Sequence, residues 1–161
     1  MNASDVPQIL EFIKIGAEEQ APGTKVAATV SGLKQILNFG PPETAQRSPS
    51  KVAWALLIES PSGEAAGVLI YLFNCSTWSA APGVHIEELY VAPEYRSDGY
   101  AKQLFEALAT AAKQASCVKI DWICLQNNGR ALKFYEKMGA SVMSDWATLR
   151  LAREGIEKLA K

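Results

Sequence analysis

The apolar patterns along this 161-residue chain predict an α+β, or mixed α/β, domain with a central, mostly antiparallel sheet flanked by helices. Three observations predict it. Two segments with helical three-to-four-residue spacing come first. Strand-length apolar runs separated by short turns follow, and a single strand–helix–strand crossover comes after them.

Ser4 or Asp5 can cap a first helix that has Pro7 in its first turn and Ile9, Leu10, Phe12, Ile13 and Ala17 as its apolar stripe. Glu18, Glu19 and Gln20 end it before Pro22-Gly23. A second helix is expected over about 29–39, with Val30, Leu33, Ile36 and Leu37 inward, until Gly40-Pro41-Pro42 stops it. The stretch to Lys51 has no period and is the segment expected to be disordered. Apolar runs at 52–58 and 65–73 flank Ser60-Pro61-Ser62-Gly63-Glu64 and read as a hairpin. A loop over 74–83 leads to a strand at 84–91. The longest helix is expected over about 98–115, where Tyr100, Ala101, Leu104, Phe105, Leu108, Ala111, Ala112 and Ala115 recur at helical spacing. A strand at 118–125 follows, then a short helix over 128–138 capped by Asn128 and stopped by Gly139. Residues 142–151 are expected to be strand and 153–161 a terminal helix.

Length and the absence of a linker or repeat point to one domain over 1–161. The net charge of −1 carries no basic excess of the kind nucleic-acid binding requires. No run approaches the ~18 apolar residues of a membrane span, and no signal core is present. Cys75, Cys117 and Cys124 are an odd number without a CxxC, and there is one histidine, His85. This argues against a disulfide framework and a metal site, and for a reducing, cytoplasmic location.

The stretch 85–104, HIEELYVAPEYRSDGYAKQL, is the most informative part of the chain. It reads as a strand, a Pro-containing turn, then a glycine at a helix start. Unpaired N–H groups and aligned peptide dipoles there favour an anion. Arg96-Ser97-Asp98-Gly99-Tyr100-Ala101 fits the Arg/Gln-x-x-Gly-x-Gly/Ala pyrophosphate motif of the GNAT acetyltransferases. About 30 residues later, Asn128-Gly129-Arg130-Ala131-Leu132-Lys133-Phe134-Tyr135-Glu136-Lys137-Met138-Gly139-Ala140 resembles that family's Asn-x-x-Ala-x-x-Phe-Tyr-x-x-x-Gly-Ala segment. Ser76-Thr77-Trp78, Glu87-Glu88-Leu89-Tyr90-Val91 and Trp146 are similar to the branch of diamine, spermidine/spermine and thialysine N-acetyltransferases. The Ser-Thr-Trp form leans to the thialysine side.

The resemblance implies the GNAT fold, with a twisted central sheet, acetyl-CoA as donor and a homodimer. It places coenzyme contacts at Leu89, Tyr90, Val91, Arg96, Ser97, Asp98, Gly99, Tyr100, Ala101, Lys102, Asn128, Arg130 and Ala131. Substrate contacts fall at Glu19, Trp78, Glu87, Glu88, Asp121 and Trp122. Two features depart from the pattern. The strand that usually precedes the first helix is shortened or absent. The polyamine enzymes carry Asp-Pro-Trp where Ser76-Thr77-Trp78 stands, and a Tyr-Glu pair where Glu19-Gln20 stands, so substrate choice is expected to differ.

The chemistry needs a base, because an alkyl ammonium of ordinary pKa about 10.4 must lose a proton before it attacks. Glu87 and Glu88 are adjacent on a predicted strand, so at most one faces the acetyl group. The resemblance selects Glu87, through water, with Glu88 the alternative and a contact for the ammonium. Tyr135 is the implied general acid. None of the cysteines lies in a motif strand beside a histidine, so direct transfer in a ternary complex to a small primary amine is expected. The rivals are transfer to a protein or peptide amine, and an acyl-CoA sensor without turnover.

Overall fold

A computed structural model of the chain describes residues 1–40, 42 and 50–160. They fall into two compact units, Met1–Ile123 and Cys124–Lys161. Most of the 41–50 stretch expected to be disordered lies outside the described residues.

The first unit contains helices α1 (Val6–Gln20) and α2 (Val30–Ile36), strands β1 (Trp54–Glu59), β2 (Ala65–Ser76) and β3 (Ala81–Val91), helix α3 (Tyr100–Gln114) and strand β4 (Ile120–Trp122). The sheet order is β1-β2-β3-β4. The first two pairings are antiparallel, and α3 carries the chain across to a parallel β4. Residues 1–5 hold no strand.

Register shows how the sheet divides its faces. Val68, Ile70 and Leu72 alternate onto one face of β2, so their partners Tyr90, Glu88 and His85 share that face. There α1 and α2 bury Val6, Ile9, Leu10, Phe12, Leu33 and Leu37 against Ala53, Ala55, Val68, Ile70, Tyr90 and Ala92. Burying a large aliphatic side chain is worth roughly 1.5–3 kcal/mol, so this layer holds α1 far more firmly than its helix propensity could. On the other face α3 buries Leu104, Phe105, Leu108 and Ala112, and Phe105 meets Trp122 edge-on at 5.4 Å.

Several expectations are corrected. Asp5 occupies the N-cap of α1, but its side chain makes no cap bond; it accepts from Asn2 N–H at 2.6 Å instead. In α2 the Thr29 hydroxyl does cap, accepting from Gly32 N–H at 3.0 Å, while Ile36 is exposed rather than inward. The 74–83 loop is mostly strand. Asn74, Cys75 and Ser76 pair with Gly83, Pro82 and Ala81, because continuing an existing ladder outweighs their weak strand preference. The strand expected over 118–125 is trimmed to Ile120–Trp122.

The second unit contains α4 (Gly129–Lys137) and α5 (Arg153–Leu159). Residues 142–151, expected to be strand, are not one. Val142, Met143, Trp146 and Leu149 give the run its apolar character, but a strand exists only where a neighbouring strand takes its N–H and C=O groups, and no strand among the described residues is laddered to this run.

Candidate active site

The site is built around an irregularity in β3. Ile70 pairs with Glu88 and the next residue, Tyr71, with Ile86, which leaves Glu87 as an extra residue in a β-bulge. The bulge breaks the strict alternation expected of the two glutamates. Glu88 turns onto the α1 face, where α1 approaches closely: a Cβ added to Gly16 would lie 3.5 Å from Glu88 Oε1 and 3.3 Å from Tyr90 Cδ2. Burial there pushes the Glu88 carboxyl up to about 7, with the Glu87 charge adding and a bond from the Leu89 N–H opposing. The Glu87 side chain is 69% exposed, with its Oε2 3.9 Å from His85 Nε2.

Beyond the bulge β3 loses one neighbour. β4 pairs only with Val84, His85 and Ile86, so the β3 edge over 87–91 has no strand beside it among the described residues. Such an edge offers N–H and C=O groups to any extended amide chain. β3 leads through a short 3-10 turn, Pro93–Tyr95, into the start of α3. There Ser97 and Gly99 have left-handed backbones, φ 76° and 87°, and Gly99 is the N-cap of α3. A Cβ at Gly99 would meet nothing within 4 Å, so glycine is needed for its φ. No side chain caps this helix; Asp98 is exposed. The N–H groups of Gly99, Tyr100, Ala101 and Lys102 are those a helix leaves unpaired, and they suit a pyrophosphate.

The Arg96 side chain is engaged elsewhere. Its Nε donates to the Val91 carbonyl at 2.8 Å, and its Nη2 donates to both Glu19 oxygens at 2.8 and 2.7 Å. The guanidinium lies 5.5 Å from the centre of the Tyr90 ring. Tyr90 itself is core, packed on Phe12 at 5.3 Å. Burial raises its phenol pKa, with Glu19 adding and Arg96 opposing.

The remaining first-unit candidates are dispersed. Asp121 pairs across the sheet with His85, on the same face as Glu88, and its carboxylate accepts from Lys119 Nζ at 2.6 Å. Trp122 pairs with Ile86 on the α3 face. Trp78 sits in the tight β2–β3 turn, 88% exposed. In the second unit Asn128 accepts from Ala131 N–H at 3.2 Å and so caps α4; Arg130 stands in the first turn, and Tyr135 lies beside Phe134 with ring centres 5.4 Å apart.

Two relationships escaped sequence reasoning. The bulge had a legible sign, since Glu87-Glu88 puts two polar residues between Ile86 and Leu89 where alternation allows one. The Arg96–Glu19 bond, 77 positions apart, had none.

The model of the Acetyltransferase (GNAT) family matches residues 31–140. The chain is 31% identical over 96 residues to the L-ornithine N5-acetyltransferase NATA1 of Arabidopsis thaliana, covering 60% of this chain and 42% of that protein. It is 30% identical over 100 residues to a thialysine N-epsilon-acetyltransferase of Caenorhabditis elegans, covering 60% of this chain and 62% of the relative. The chain thus spans about half the length of these relatives. Among solved structures, AAC(6')-Iy in complex with a bisubstrate analogue, CoA-S-monomethyl-acetylneamine, superposes with a TM-score of 0.69 over 94% of this chain and 95% of that one, at 17% identity.

Proposed function

The chain belongs to the GNAT acetyltransferase family, and from that premise we propose that it transfers acetyl from acetyl-CoA to the primary amine of a small molecule, a lysine-like amino acid or polyamine. One observation carries the reading: a bulge sets a half-buried carboxyl with pKa about 7 beside an open strand edge that runs into the N–H cradle of α3.

The residues present fit the donor. Leu89 on the β3 edge would pair with its amide arm, and the N–H groups of residues 97–102 would take its pyrophosphate, with Gly99 leaving room; Asn128, Arg130 and Ala131 complete the assignment by resemblance. When bound, acetyl-CoA supplies the activated acetyl group. Glu88 is the base. Its pKa near 7 leaves about half of it ionised at neutral pH, and the ionised form is basic enough to draw a proton from an ammonium, directly or through water. Glu87, exposed beside His85, with Asp121 on the face shared by Glu88, holds the cationic substrate; the aromatic contacts at Trp78 and Trp122 rest on the resemblance alone, since the fold puts Trp122 on the opposite face against Phe105 and Trp78 in the β2–β3 turn. Tyr135 gives the proton that the leaving thiolate takes up, an assignment supported by its motif. The relatives' named amines, ornithine and thialysine, support the substrate class. One domain over 1–161, a homodimer and a cytoplasmic location complete the proposal.

The test is a panel of thialysine, ornithine, lysine, polyamines and peptide amines with acetyl-CoA. A free diamine or amino acid turning over well ahead of every peptide is the expected result. Preference for a peptide would move the acceptor to protein amines, and coenzyme binding without turnover would make the chain a sensor.

A further inference from the structure

The resemblance draws Arg96 and Glu19 to opposite sides of the reaction, one to the pyrophosphate and the other to the amine, yet the fold pairs them with each other. We propose that they are positioning residues for the donor cradle: Glu19, at the end of α1, holds the Arg96 guanidinium, which holds the Val91 carbonyl, and the backbone leaving Arg96 is thereby aimed so that the N–H groups of residues 97–102 converge. The proposal rests on the reading of that cradle as the donor site.

Three contacts immobilise Arg96. Nε is bonded to Val91, Nη2 to both oxygens of Glu19, and the guanidinium plane lies over Tyr90. A guanidinium is a rigid fork, so donors committed in two directions fix its plane, which a flexible ammonium could not reproduce. The Arg96 side chain is 24% exposed and that of Glu19 42%, so the guanidinium end of the pair is the part shielded from solvent. Directly after Arg96 the chain takes two left-handed residues within three positions, Ser97 and Gly99. A path with such turns carries any error in its starting direction into the N–H groups that follow. The turn is also held on its other flank, where Tyr95 donates to Glu64 Oε2 at 2.7 Å and its ring meets Tyr100 at 5.8 Å. One anchor therefore ties the turn to the β1–β2 hairpin and the other ties it to α1. The α1 anchor has a second consequence, because the same helix packs Gly16 against Glu88. The base and the cradle are set by one element.

The experiment uses Glu19→Gln, Arg96→Lys, Arg96→Ala and the double variant Glu19→Gln/Arg96→Ala. Coenzyme A affinity is read by calorimetry, the two KM values by kinetics, and amide hydrogen exchange on the ligand-free protein. Glu19→Gln should weaken coenzyme A binding about fivefold, the size of one ordinary hydrogen bond net of solvent, with the amine KM unchanged. Arg96→Lys, which keeps the charge and loses the fork, should do the same. In the Arg96→Ala background the Glu19→Gln effect should vanish, because Glu19 acts through Arg96. Without ligand, the Tyr95 and Arg96 amides, bonded to Ala92 and Pro93 carbonyls, should exchange several-fold faster in Glu19→Gln while β2 amides stay unchanged. A rise in amine KM alone would make Glu19 an amine ligand and overturn the proposal. Tighter coenzyme binding in Glu19→Gln would overturn it too, since Glu19 would then be competing with phosphate for Arg96. Wild-type protein that fails to bind coenzyme A refutes the donor reading instead, and the exchange result still decides whether the pair holds the turn.

Discussion

At Glu88 the proposed role as base and the stability of the fold pull in opposite directions. Its pKa stands at about 7 in the fold against an ordinary 4.5, chiefly because α1 buries it. The folded state therefore binds its proton more readily than the unfolded chain between these two values. Stability falls as pH rises through that window, and the full cost, on the order of 3 kcal/mol, applies above pH 7. Glu88→Gln removes the buried charge, so at pH 8 it should melt several degrees higher than wild type, and at pH 4 the two should melt together. The same substitution should lower kcat/KM by about 10²-fold or more and abolish the limb of the wild-type pH profile that rises with an apparent pKa near 7. Thermal melts at two pH values and a pH–rate profile check both. A Glu87→Gln variant that reproduced the flattened profile would return the base to Glu87.

At the scale of elements, the two helix starts use different devices. α3 begins on a glycine at φ 87° with no side-chain cap, and α4 begins on an asparagine whose side chain takes the Ala131 N–H. A side-chain cap at α3 would occupy the N–H groups that the proposed cradle needs. Gly99→Ala should cost roughly 1 kcal/mol of stability through its left-handed backbone alone, since its Cβ meets nothing, and should weaken coenzyme A binding further than that loss of stability explains. Asn128→Ala should cost about 1 kcal/mol through the lost cap and raise exchange in the first turn of α4. Denaturant melts and coenzyme titration separate these effects. The helices were legible in the residues because each carries its period and its stop within itself. The run at 142–151 was not, because a strand is a relation between two segments. The bulge at Glu87 lies between these cases: its sign is local, two adjacent polar residues, but its consequence, turning Glu88 toward α1, depends on what β2 and α1 do.

Over the whole molecule the core belongs to the sheet. Leu108 is fully buried in the α3 layer, and Leu108→Ala should cost about 2–5 kcal/mol, lowering the melting temperature while leaving the KM for the amine in place, as a scaffold residue should. What the sequence determined alone was the order of helices and strands as far as α4, the glycine at the α3 start and the motifs that mark the family. Each depends on contacts within a dozen residues or on backbone preference, and these are written in adjacent positions. Only the tertiary structure decided which of two neighbouring glutamates is buried, that Tyr90 is core, and that Arg96 answers to Glu19 across 77 positions. Burial and pairing at that range depend on how α1 lies across the sheet, and no residue carries that geometry in its own neighbourhood.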